Sequence, residues 1–136
     1  MYKLRNENNR FSQEIVEYLS RLNEKIKIDA IILFGSHAKG TAYKYSDYDF
    51  FIISSDWPDN YRERINIFWE NIPNWVEIIA WKPEEVKKFI YRPFILQILT
   101  EGIVIYGEGE KYKKAAQEYI KTNNLKKTKF GFVREI

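Results

Sequence analysis

Two aspartates two residues apart, Asp47 and Asp49, open an apolar run that ends at Ile53. Strand side chains alternate between faces, so residues two apart project the same way. Two carboxylates held side by side repel each other unless a cation joins them. Their hard oxygens suit Mg²⁺, which is usually held by one or two carboxylates together with substrate phosphates. Upstream, a second apolar run, Ile28 to Phe34, ends in Gly35-Ser36 followed by small residues. This reads as a strand-to-helix turn that holds phosphate. Gly35 permits close approach of the backbone. The Ser36 hydroxyl and the helix N-terminus can donate to phosphate oxygens. Lys39 and Lys44 could add point charges.

Phosphoryl and nucleotidyl transfers need charge neutralisation and in-line positioning more than covalent help. Two metal ions roughly 3.5–4 Å apart can hold the attacking and leaving oxygens together. Three carboxylates are an economical ligand set for such a pair. Asp47 and Asp49 supply two. Glu77 is the candidate third, because an acid inside Trp-Val-Glu-Ile-Ile-Ala-Trp would be costly to bury alone. The bland alternatives are a turn cap for Asp47, a solvent-facing strand position for Asp49, and an outward residue or lysine partner for Glu77. His37, the only histidine, reads as a polar loop residue and not as a base. Gly107-x-Gly109 lacks the rest of a phosphate-loop fingerprint and reads as a turn. Trp57 and Trp81 could line a purine pocket, although the Tyr and Trp stripes read as core.

Alternating periodicities lay out the elements that must position these groups. Phe11, Ile15, Tyr18, Leu19, Leu22 and Ile26 predict an amphipathic helix over 10–26, capped by Asn8 or Asn9. Strands follow at 28–34 and 47–53, with a short helix over 36–42 between them. Asp59 or Asn60 caps a helix that carries Tyr61, Ile65, Phe68, Trp69 and Ile72 on one face. A third strand covers 75–81, and Pro83 and Pro93 each start a helix. A brief strand at 103–106 and a helix over 110–121 complete the pattern. Strands alternating with helices predict a two-layer α/β (α+β) domain over 1–121.

With these residues in place, Gly35-Ser36 and, twelve residues after Gly35, Asp47-x-Asp49 resemble the signature of the polymerase-β-like nucleotidyltransferases. The form Gly-Ser-x-Ala-x-Gly over 35–40 is similar to the minimal nucleotidyltransferases, small prokaryotic proteins often paired with an all-helical partner. The resemblance implies a small mixed sheet with the second strand central and helices flanking it. It implies transfer of a nucleoside monophosphate, AMP from ATP, to a hydroxyl, with two Mg²⁺ ions. Asp47, Asp49 and Glu77 would be the catalytic metal ligands, and Gly35, Ser36 and Lys39 would bind the nucleotide. The acceptor would be a hydroxyl on a helical partner protein, with this chain the antitoxin of a toxin–antitoxin pair. A non-catalytic antitoxin acting by contact and a small-molecule nucleotidyltransferase are the alternatives. The chain departs from the family at two points. His37 and Lys39 stand where Arg is frequent, so bidentate phosphate contact is lost there. Glu77 stands where Asp is common.

Composition narrows the setting. The chain has 136 residues, 45% of them hydrophobic and 17% aromatic, which fits one globular domain and excludes disorder. It lacks cysteine, so disulfides and thiolate metal sites are excluded and a cytoplasmic setting fits. No apolar run reaches membrane-spanning length, and Met1 to Arg10 shows no signal pattern. The whole net charge of +3 lies in residues 122–136, where Lys126, Lys127, Lys129 and Arg134 face the single acid Glu135. This basic C-terminal tail reads as a solvated segment, with nucleic acid or an acidic partner as alternatives. Nucleic acid is not the expected substrate.

Overall fold

The computed structural model describes residues 4–5, 10–43, 46–129 and 131–135. The suggested caps Asn8 and Asn9, and Lys44 among the phosphate contacts, lie outside them. Helix α1 (Gln13–Lys25) starts instead at Ser12, whose hydroxyl accepts the Ile15 N–H at 3.3 Å. Its buried stripe is Ile15, Tyr18, Leu19 and Leu22, as the spacing predicts.

Four strands, β1 (Ala30–Phe34), β2 (Tyr48–Ile53), β3 (Val76–Trp81) and β4 (Ile103–Gly107), form a mixed sheet ordered β3-β2-β1-β4. β1 runs antiparallel to β2 and β4, while β2 and β3 are parallel. The inner strands β1 and β2 are nearly continuous apolar runs because both of their faces are buried. One face packs Ile31, Leu33, Phe50 and Ile52 against α1 and Phe68 of α3 (Tyr61–Trp69). The other packs Ile32, Phe51 and Ile53 against α5 (Pro93–Glu101) and α6 (Glu110–Thr122). The short helices α2 (Ser36–Lys39) and α4 (Pro83–Lys88) follow β1 and β3. This is the small mixed sheet, flanked by helices, that the resemblance implied. Among the described residues no helix is long and apolar enough to cross a membrane.

Two local expectations are corrected. On α3 the stripe Tyr61–Ile65–Trp69 faces outward, and Trp69 is 67% exposed. Arg64, 2% exposed, takes the inward position with Phe68. The guanidinium is buried because each of its nitrogens finds an acceptor. Nε donates to Pro58 O at 2.6 Å, and Nη2 to Asp59 O at 3.3 Å. Nη1 donates to Ala80 O at 3.0 Å and to Glu85 Oε1 at 2.6 Å. Periodicity counts apolar residues and cannot register an arginine whose acceptors come from a loop, a strand and another helix. Trp57, 1% exposed, donates Nε1–H to Ile52 O and belongs to the core, lining no purine pocket. Trp81 packs on Phe51 and Phe89 at the far end of β3 from Glu77.

The basic segment read as solvated is ordered as an antiparallel hairpin, β5 (Leu125–Thr128) and β6 (Gly131–Arg134). Leu125 and Phe132 pack on the core face that α5 and α6 cover. The two lysines of β5, Lys126 and Lys127, are adjacent and exposed between the half-buried Leu125 and Thr128, which is why composition alone reads the stretch as solvated.

Arg64→Met keeps much of the volume but leaves Glu85 and the carbonyls of Pro58, Asp59 and Ala80 short of a donor. Losing hydrogen bonds to a buried charged group is expected to cost about 2–3 kcal/mol. Urea unfolding, compared at constant slope with Ile65→Met on the outward face, measures it; the control should move by less than about 0.5 kcal/mol.

Candidate active site

The first wall of the site is the turn after β1. Gly35 has φ 75° and ψ −157°, a conformation open only to glycine. A methyl group there would fall inside the van der Waals shell of Asp49 Oδ2. Gly35 thus serves the carboxylate as well as any phosphate: it lets Asp49 lie against the turn. α2 then runs for one turn and stops at Gly40, which adopts the left-handed conformation. Ser36 opens α2, whose first amides have no intrahelical acceptor.

The second wall comes from the sheet. Phe34 of β1 pairs with Asp49 of β2, and Asp49 pairs with Glu77 of β3. The three side chains lie abreast on the face shared with α5. Asp49 is half-buried, whereas Glu77, on the edge strand, is exposed. The expectation that Glu77 carries the burial cost is therefore corrected; Asp49 carries it. Asp47 lies one residue before β2 and is exposed. Burial pushes the Asp49 carboxyl up to about 6, assisted by its hydrogen bond with Glu77 and by the charges of Glu77 and Asp47. Among the described residues, no three His, Cys, Asp or Glu side chains are grouped as a ready-made metal cage.

Two clefts meet along Phe34, Asp49 and Phe94. The smaller, about 250 Å³, is lined by Gly35, Lys39, Gln97 and Glu101. The larger, about 450 Å³, runs past Glu77 to Trp69 and Ile72. Lys39 reaches the smaller cleft and pairs there with Glu101 at 3.2 Å. Lys127 of the hairpin pairs with the same Glu101. His37 packs on Tyr48, the residue between the two aspartates. Sequence reasoning missed Phe94, Gln97 and Glu101. On α5 they sit among apolar residues at helical spacing, and only the sheet reveals that this helix forms a cleft wall.

A nucleotide-sized groove beside clustered carboxylates, on a mixed sheet of this order, belongs to a phosphate-transferring enzyme. The family model for the nucleotidyltransferase domain matches residues 12–132, so the chain belongs to that family and is a nucleotidyltransferase. It is similar to the "putative protein adenylyltransferase" of Methanocaldococcus jannaschii, with 32% identity over 106 residues, covering 71% of this chain and 72% of that one. Two solved structures share the fold. One, a toxin–antitoxin with AMP-PNP, has a TM-score of 0.56 and 19% identity over 83% of this chain and 90% of its own. The other is a tri-AMPylated Shewanella oneidensis HEPN toxin in complex with MNT antitoxin. It has a TM-score of 0.50 and 18% identity, covering 82% of this chain and 84% of that one.

The Asp49 environment fixes the sign of a pH effect. Its carboxyl titrates near 6 folded and near 3.8 in an ordinary setting, so the native state holds the proton more tightly. This contribution to stability is fully present below about pH 4 and is lost as pH rises through about 6. Melting curves of the ligand-free protein between about pH 4 and 7 should show a decline that Asp49→Asn flattens. In Glu77→Gln the decline should be smaller and end at lower pH, because one source of the upward shift is gone.

Proposed function

We propose that this nucleotidyltransferase moves AMP from ATP to a hydroxyl of a partner protein, using Asp47, Asp49 and Glu77 with Mg²⁺. The observation that carries the reading is the parallel register of β2 and β3, which sets Asp49 beside Glu77 at the junction of two clefts. A carboxyl pushed upward by burial first, and then by two neighbouring acids, is an environment that a divalent cation would relieve. Asp47 and Asp49 would hold the metal, with substrate phosphates completing its shell. When bound, Mg²⁺ there would offset phosphate charge and ease loss of the acceptor proton.

On this reading the triphosphate enters the smaller cleft. The Gly35 turn and Ser36 hold the β- and γ-phosphates, and Lys39 leaves Glu101 to meet them. Lys127 also pairs with Glu101, so the acid keeps a partner when Lys39 leaves. The acceptor hydroxyl approaches through the larger cleft, past Glu77, which helps to draw off its proton. The acceptor oxygen bonds to the α-phosphorus, the bond to the β-phosphate oxygen breaks, and pyrophosphate leaves. The apolar walls Trp69, Ile72 and Phe94 suit an acceptor presented by a protein segment. The relative named as a protein adenylyltransferase, and the toxin–antitoxin complexes that share the fold, support such a partner and an antitoxin role.

Transfer of labelled phosphate from α-labelled ATP to a co-purified partner, with Mg²⁺, tests the reading. Asp47→Asn and Asp49→Asn should abolish labelling. Glu77→Gln should cut it at least about 100-fold while still binding AMP-PNP, since a lost charge on the acceptor side spares the triphosphate side. Wild-type labelling in all three variants rules the carboxylate mechanism out.

Gly35→Ala is expected to lose both nucleotide binding and turnover, because the new Cβ meets Asp49 and the positive φ is strained. Gly40→Ala meets nothing within 4 Å and bears only the φ cost of about 1 kcal/mol. Calorimetric titration with AMP-PNP should separate the two.

A further inference from the structure

His37 grips the aspartate loop from both sides. It projects from α2, on the turn wall, yet both of its partners lie on the carboxylate wall. Its Nε2 is 2.9 Å from the Ser46 carbonyl oxygen. A carbonyl only accepts, so Nε2 carries the proton. Its ring lies flat on Tyr48, with centroids 3.7 Å apart and planes 9° apart. Asp47 is the single residue between those two.

The rest of the loop is braced around the same points. The Ser46 hydroxyl accepts the Tyr43 N–H at 2.8 Å, and the Ser46 N–H donates to Tyr43 O at 3.1 Å. Tyr48 donates its N–H to Trp75 O at 2.8 Å and its hydroxyl to Arg10 O at 3.1 Å. Asp47 itself stands outside the β2 ladder and is exposed. Strand pairing orients Asp49 and Glu77 but does not reach Asp47. A carboxylate needed within a few tenths of an ångström of a cation requires some other restraint.

We propose that His37 is a positioning residue that holds Asp47 in place for a divalent cation, by anchoring Ser46 through Nε2–H and Tyr48 through ring stacking. This rests on the reading of Asp47 as a cation ligand. It also accounts for an imidazole where the resemblance leads one to expect a phosphate-binding arginine. Here position 37 is turned to the carboxylate loop, and Lys39 alone of the two is at the phosphate cleft.

Mn²⁺ supplies a readout besides turnover. Its affinity, measured by electron paramagnetic resonance with saturating AMP-PNP, is compared across wild type, His37→Ala, His37→Phe, His37→Gln and Asp47→Ala. Loss of a group that orients a metal ligand typically costs 10–100-fold in affinity. His37→Ala is expected to weaken Mn²⁺ by about 10-fold or more. His37→Phe, which keeps the stack, and His37→Gln, which keeps a donor, should each recover part of it. Melting of the ligand-free variants separates this from a general loss of fold. If His37→Ala does not fold, His37→Phe decides on the same measurement. Wild-type Mn²⁺ affinity in the folded His37 variants, with affinity lost in Asp47→Ala, overturns the positioning role alone. Wild-type affinity in Asp47→Ala overturns the ligand assignment beneath it.

Discussion

The Asp49 carboxylate is the constraint on which the rest of the site depends. It lies against the backbone of Gly35, beside Glu77 across the sheet, and within the field of Asp47. No isolated strand would hold acids so close, because each raises the cost of ionising the next. The sheet supplies the restraint through its ladder. β2 is paired on both sides from Asp49 to Ile53, so the Asp49 backbone cannot move away without breaking hydrogen bonds to β1 and β3. In the ligand-free protein, burial first and then the hydrogen bond and charge of Glu77 raise the Asp49 carboxyl to about 6. The glycine at 35 follows from the same constraint: any Cβ there would displace the carboxylate.

Two clefts share the Asp49 wall, and the proposed reading gives each its own task. The cleft beside the Gly35 turn carries Lys39 and Gln97 among the apolar Phe34, Phe94 and Ile98, and takes the phosphates on the proposed reading. The cleft beside Glu77 is largely apolar and opens toward exposed Trp69. The C-terminal hairpin is tied to the cleft beside Gly35, because Lys127 and Lys39 share Glu101. The basic segment therefore lies near the cleft beside Gly35, held there by Leu125 and Phe132 together with the Lys127–Glu101 ion pair.

Much of this was legible in the chain, and the exceptions share a cause. The strands at 30–34 and 48–53, the Gly35 turn, Pro83 and Pro93 at their helix starts, and the α1 stripe all rest on local rules. Apolar runs, backbone freedom and capping act over a few residues and can be read without knowing the fold. The α3 face was misread because Arg64 gains its acceptors from Pro58, Asp59, Ala80 and Glu85. The Glu77 argument chose the right strand but the wrong acid to be buried, because an edge strand exposes what a central one would cover.

The sequence by itself determined the ingredients: a turn only glycine can make, an Asp-x-Asp ahead of a buried strand, and an acid within a third strand. It determined the elements too, since hydrophobic period and turn chemistry are properties of neighbours along the chain. The tertiary structure alone decided which strands pair, and in which direction. It decided that the α5 residues Phe94, Gln97 and Glu101 face the carboxylates, and that His37 reaches across to Ser46 and Tyr48. Each of these depends on groups brought together from distant positions or across a turn. Their energies exist only once the sheet has closed, and no local pattern in the chain encodes them.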